Sequence, residues 1–149
     1  MNTKEIKIIL ENNLITNNYF INVFPLDKLP IDKISSDKWF LVCNCCPSNK
    51  IGMHWIVIFY QDGILEFFDS FGFSPYFYKG IKNFLILQGA QYTLYNDTTL
   101  QSLSSDSCGH HCILFGFLRC MGESFSSTIN QIKGMDRDSY VKFVVNNFI

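Results

Sequence analysis

Ser107-Cys108-Gly109-His110-His111-Cys112-Ile113-Leu114-Phe115-Gly116-Phe117-Leu118-Arg119-Cys120-Met121-Gly122 is the stretch from which the rest of the fold can be read. Residues 108–121 are almost wholly apolar, and the run is too long for a strand, whose usual length is about five or six residues. A helix that is apolar on nearly every side has to be buried, so this one is expected at the centre of the molecule, with Gly122 ending it. Residues 96–107, just ahead of it, are polar and read as a loop. Cys108 therefore stands where a solvated loop turns into a buried helix.

Two further helices are predicted downstream, one over 124–133 and one from about Asp136 with Tyr140, Val141, Val144, Val145 and Phe148 on one face. Upstream of the loop, 91–95 reads as a strand, and Pro75 opens a helical segment through about Leu87. Residues 54–60 and 64–69 read as two strands of a hairpin around Gln61-Asp62-Gly63, where Gly63 supplies the positive φ of the turn. Another strand is expected over 39–43. Residues 19–37 contain Pro25 and Pro30 and read as a long loop anchored by Tyr19, Phe20 and Phe24. Thr3 is expected to cap an N-terminal helix with Ile6, Ile9, Leu10 and Leu14 at helical spacing, lying on a sheet. The fold class is then α+β, a small mixed sheet packed around one central helix with flanking helices, in a single domain over 1–149.

Composition agrees with a dense aromatic interior: 48% of the 149 residues are hydrophobic and 16% aromatic, with 15 Phe. A net charge of −1 lacks the broad positive field that sequence-independent nucleic-acid binding relies on. No apolar run approaches the roughly 20 residues that cross a bilayer, and the start is polar, so the protein is expected on the cytosolic side. In that reducing compartment the six cysteines are expected to be free thiols, and the sequon Asn96-Asp97-Thr98 unused.

Thiol catalysis needs a nucleophile with a lowered pKa, a base, a group that orients the base, and donors for the developing oxyanion. Cys108 at a helix N-terminus would have free N–H groups and the helix dipole favouring its thiolate, and Gly109 would let a substrate backbone come close. His54 begins one hairpin strand and Asp69 ends the other, so the two are expected to meet, the carboxylate accepting the imidazole N–H. Gln101, in the loop before Cys108, could aim its amide at the same oxyanion as the Cys108 N–H, a contribution of about 3 kcal/mol.

Gly52-Met53-His54-Trp55, Phe68-Asp69-Ser70-Phe71-Gly72-Phe73-Ser74, and Gln101-Ser102 through Ser107-Cys108-Gly109 with Cys112 resemble, in the same order, the three motif blocks of adenain, the adenovirus endopeptidase family. The spacing of seven from Gln101 to Cys108 resembles adenain more than the related SUMO proteases. The N-terminal helix, Tyr19-Phe20 and Phe24-Pro25 extend the likeness over nearly the whole chain. It implies a papain-like site in permuted chain order, with His54, Asp69, Gln101 and Cys108 in the family's roles. It also implies cleavage of viral structural precursors at Gly-containing sites during particle maturation, in the virion and the host-cell interior. The chain departs from the family in carrying Asp69 where Glu is usual, in being shorter and less basic, and in having no cysteine in 89–100 to receive an activating viral peptide. An activating peptide is accordingly not assigned, and stimulation by DNA is expected to be weak or absent. The expected partners are protein or peptide substrates such as capsid or core precursors, with no membrane, and the chain is expected to be a monomer.

The strongest competing pattern is a metal site, with Cys43-Asn44-Cys45-Cys46 and Cys108-Gly109-His110-His111-Cys112 as ligands. Neither cluster has paired zinc-finger spacing, and zinc would occupy the nucleophile, so no metal and no cofactor is expected. Cys43, Cys112 and Cys120 read as small hydrophobic residues, and Trp55 as core or as packing on the imidazole. His110 and His111 are expected in the first helical turn, one near the cleft and one packed; Asp106 is expected to be a solvated loop charge. The competing functions are a peptidase of ubiquitin-like modifiers and an acyltransferase on the same fold.

Overall fold

The computed structural model describes residues 1–46, 48–49 and 54–149. Within them five strands make one sheet, in sequence order: β1 (Phe20–Pro25), β2 (Lys38–Asn44), β3 (Trp55–Gln61), β4 (Ile64–Phe68) and β5 (Tyr92–Tyr95). The sheet is mixed. β1 runs parallel to β2 and β5 parallel to β4, while β3 is antiparallel to both its neighbours, β2 and β4. The β3–β4 hairpin closes on Asp62 (φ 50°) and Gly63 (φ 84°), the pair of left-handed residues that a two-residue turn matching strand twist requires.

Alternation along the strands gives each sheet face its own core. Phe40, Val42, Trp55, Val57, Phe59 and Phe68 point to one side. There they meet α1 (Thr3–Asn12), α3 (Cys108–Cys120), α4 (Phe125–Gly134) and α5 (Asp138–Phe148). Trp39, Leu41, Cys43, Ile56, Ile58, Leu65 and Phe67 point to the other and pack on Ile81, Phe84 and Leu85 of α2 (Ile81–Gln88). The α+β class is as expected, a mixed sheet packed with the central Cys108 helix and flanking helices, and the sheet lies between two helical layers. Gly116 sets how closely α3 sits on the sheet, since a Cβ there would stand 2.7 Å from the Phe40 ring.

Several local expectations are corrected. The first helix is capped by Asn2 and not Thr3: the Asn2 side chain accepts from Glu5 N, and the Glu5 carboxylate accepts from Asn2 N. It stops at Asn12, because Asn13 turns extended and its side chain accepts from Ile15 N and Thr16 N; Leu14 is left 84% exposed. The loop read over 19–37 contains β1, an edge strand with a single neighbour, where Asn22 and the terminal Pro25 are tolerated. The segment from Pro75 is a short 3-10 turn over Pro75–Phe77, and Gly80 (φ 97°) then resets the chain before α2. On α5 only Val141 and Val145 are deeply buried; Tyr140 and Phe148 stay exposed. Helix α3 itself runs as predicted, with Gly122 in the left-handed region just past its end.

Candidate active site

Cys108 is the first residue of α3, and no side chain caps that helix, so its first N–H groups are not consumed by a cap. Burial would push the thiol pKa up. The nearby His54 imidazole, then the Trp55 backbone N–H, the charge of His54 and the Gly109 N–H outweigh it and leave the thiol lowered from 9.0. One turn further on, Cys112 has no such partners and burial drives its pKa well above the ordinary value. Gly109 also faces α1. A Cβ there would meet Ile6 Cδ1 and Met1 Sδ at 3.2 Å, closer than ordinary contact, so the small residue eases the packing of the N-terminal segment on α3. Gly52, the other glycine singled out for close substrate approach, lies outside the described residues.

His54 sits one residue before β3, its carbonyl accepting from Cys45 N at 3.0 Å at the end of β2. Asp69 sits one residue past β4. The ladder partner of Val57 is Phe68, so the two are offset across the hairpin and meet diagonally, just beyond its last rung. His54 Nε2 donates to Asp69 Oδ1 at 2.8 Å. The other ring nitrogen, Nδ1, is buried without a hydrogen-bond partner of full geometry, and the Cys108 sulfur is the polar group beside the ring. Burial disfavours the imidazolium. The bond to Asp69, the nearby Cys108 sulfur and the charges of both overcome this and raise the pKa from 6.5 to about 9. The ring is also stacked on Phe71, with centroids 4.6 Å apart.

Asp69 is wholly buried and held from every side. Oδ1 also accepts from Phe71 N at 2.8 Å, and Oδ2 accepts from the Tyr78 hydroxyl at 2.5 Å. Asn96 grips its backbone with both ends of one amide: Oδ1 accepts from Asp69 N at 3.1 Å and Nδ2 donates to Asp69 O at 2.6 Å. Sequence reasoning missed Tyr78 and Asn96. An Asn in a sequon and a Tyr in a presumed helix carry no mark of this role.

Gln101, alone an ordinary surface residue, is buried in the loop before α3. Its Oε1 accepts from Ser70 Oγ and its Nε2 donates to Ser105 O, both at 2.7 Å, while its own N–H donates to Ser70 O. Ser70 follows Asp69, so Gln101 is tied to both the carboxylate strand end and the turn preceding Cys108. One Nε2 proton remains beyond the one given to Ser105.

The remaining candidates resolve simply. Trp55 is core, in one cluster with Cys108. His110 and His111 are both packed, and Nδ1 of His111 donates to Ser107 O at 3.0 Å. Asp106 pairs with Lys142 on the surface. Among the described residues no three His, Cys, Asp or Glu side chains are grouped as metal ligands, and the cysteines are free. A shallow cavity of about 300 Å³ lies between the Gln101 loop and the start of α5, lined by Leu100, Ser102 and Asp138; the four candidates do not line it.

No protein-family model and no curated protein sequence matches the chain. Two solved structures of similar course are the ASFV pS273R protease and a SUMO protease Ulp1 with the catalytic cysteine oxidized to a sulfinic acid. The first is 21% identical at a TM-score of 0.49, over 76% of this chain and 44% of that one. The second is 12% identical at a TM-score of 0.49, over 97% of this chain and 76% of that one. This chain therefore spans less than half the length of the pS273R protease.

Proposed function

We propose that this protein is a cysteine endopeptidase in which Cys108 is the nucleophile, His54 its base and acid, Asp69 the orienting group and Gln101 an oxyanion donor. The observation that carries the reading is a single line of polar groups through the sheet end: a thiol lowered by His54, an imidazole whose far nitrogen is 2.8 Å from Asp69, and a carboxylate fixed by Tyr78 and Phe71 N. Asp69 holds the imidazole so that Nδ1 faces the sulfur, and the Cys108–His54 pair rests as thiolate and imidazolium. The thiolate attacks the scissile carbonyl carbon. The C–S bond forms as the carbonyl electrons move onto oxygen, where the Cys108 N–H and the spare Gln101 Nε2 proton receive them. The C–N bond then breaks and the imidazolium proton goes to the leaving amine. Water, deprotonated by His54, attacks the acyl carbon; the C–S bond breaks, the acid leaves, and the thiolate–imidazolium pair is restored.

Cys108, Asp69 and Gln101 are almost wholly buried, so a substrate has to reach them as a thin, extended backbone. That favours small residues at the scissile bond. With the resemblance of the three motif blocks to adenain, it supports cleavage of viral structural precursors at Gly-containing sites. The test is a thiol-directed peptide probe followed by peptide mapping. Label is expected on Cys108 alone, and its loss in His54→Ala. Labelling spread over Cys45, Cys46 and Cys120 would overturn the assignment. Gly-containing peptides compared with a ubiquitin-like modifier carrying a C-terminal reporter distinguish the endopeptidase from a deconjugating enzyme.

A further inference from the structure

Large aromatic side chains are costly to leave in water unless something covers them, and two stand together beside the site: Phe73 (42% exposed) and Phe77 (67%). They are not loosely placed. Phe73 and Phe77 stack with centroids 4.7 Å apart and planes 11° from parallel. Phe73 is edge-on to Phe71 at 6.4 Å, and Phe71 lies on the His54 ring at 4.6 Å. On the other flank Phe77 is edge-on to Tyr78 at 5.3 Å, and the Tyr78 hydroxyl holds Asp69. The aromatic run thus leaves the His54–Asp69 pair through one member and returns to it through the other.

The loop backbone is pinned as well. Gly72 (φ 76°) lies so close to the chain leading to Gln101 that a Cβ would be 2.8 Å from the Thr98 carbonyl carbon, and Thr99 Oγ1 donates to Phe71 O at 3.0 Å. An exposed apolar shelf held this rigidly presents its area with little ordering cost on binding, which is what a recognition surface needs.

We infer that Phe73 and Phe77 form a subsite for an apolar side chain on the leaving-group side of the scissile bond. The inference rests on the cysteine-peptidase reading for its direction. The amine that leaves takes its proton from His54, so the substrate segment following the scissile bond departs over the imidazole, whose face continues into Phe71 and then the shelf. The steps of 4.6 and 6.4 Å reach at most about 11 Å from His54, roughly three residues of extended chain. The favoured apolar residue is therefore the second to fourth after the cleaved bond.

Two measurements separate this subsite from the peptidase reading itself. The first needs no turnover: Cys108→Ala protein is titrated by fluorescence anisotropy with two labelled peptides, identical except for Phe or Ser at the third position after the scissile bond. The Phe peptide is expected to bind about tenfold tighter, the scale of one apolar group in a fitted site. That ratio is expected to fall below about twofold when Phe73→Ser and Phe77→Ser are added. Phe77→Ser alone, at the most exposed ring, is expected to lose part of it, which covers the case of a double variant that folds poorly. The second measures kcat/KM of wild type on the same pair and expects the same preference. Equal binding of the two peptides, or a preference that survives both serines, overturns the subsite. Binding discrimination without any Cys108-dependent cleavage upholds the subsite and overturns the peptidase.

Discussion

Helix α3 carries a buried acid–base pair at each end, and the two behave differently. At the C-terminal end Arg119 donates to Glu66 twice, Nε to Oε2 and Nη2 to Oε1, both at 2.7 Å. Its guanidinium lies 4.6 Å over the Phe59 ring, and its remaining arm reaches the Glu123 carbonyl. Every arm of that cation is engaged, and a guanidinium has no proton to trade. At the N-terminal end the Asp69 carboxylate is just as fully engaged, but Nδ1 of His54 has no hydrogen-bond partner, and the Cys108 thiol lies close enough to act on the ring. A satisfied pair holds the fold together. A pair with one hydrogen-bonding capacity left over, in a group that can give up and regain a proton, is equipped for chemistry.

The comparison breaks most sharply on the reactive end. Cys108→Ala and His54→Ala are each expected to lower peptide hydrolysis by about four orders of magnitude or more, with the thermal melt retained. Turnover within tenfold of wild type in either variant would contradict the contrast.

At the structural end the expected effect is on stability. Removing one partner of the bidentate pair, by Glu66→Ala or Arg119→Ala, leaves the other charge buried and is expected to cost about 3–5 kcal/mol in denaturant unfolding. Glu66→Leu combined with Arg119→Met should recover most of that loss. Activity per folded molecule should stay close to wild type, which would separate the two pairs by role.

Gln101→Ala sharpens the contrast between roles held by one residue. Loss of an oxyanion donor is expected to cost about 2–4 kcal/mol of transition-state stabilisation in kcat/KM. Because Ser70 Oγ and Ser105 O would also lose their partner inside the protein, about 1–3 kcal/mol of stability should go with it. An exposed glutamine would have shown the first effect without the second.

The smallest effects are those of pH. His54 is raised from 6.5 to about 9, so its protonated form favours the folded state. That contribution is fully present below pH 6.5 and is lost as pH rises through about 9. Cys108 is lowered, so its thiolate contributes above pH 9 and the contribution is lost as pH falls through its own depressed value. Alkylation at neutral pH, followed by mass spectrometry, should mark Cys108 well before Cys43 and Cys120, which burial pushes up to about 12. His54→Ala should move the Cys108 profile to higher pH, since burial would then act with less opposition.

Much of this was written in the order of residues. The apolar run after Cys108 marked a buried helix, Asp62-Gly63 marked a hairpin, and those two features alone put Cys108 at a helix start and His54 and Asp69 at neighbouring strand ends. These are short-range consequences of hydrophobic patterning and turn chemistry, which each segment expresses by itself. Tertiary packing decided the rest. β1 is a strand only because β2 lies beside it, and Gly109 and Gly116 are glycines because α1 and Phe40 need the space. The polar groups of the candidate site gain their pairings from neighbours that the fold brings together: Asn96, Tyr78 and His54 on Asp69, Ser70 on Gln101. No local pattern encodes such pairings, because the energy of a buried polar group depends on which partners the completed fold brings within hydrogen-bonding distance.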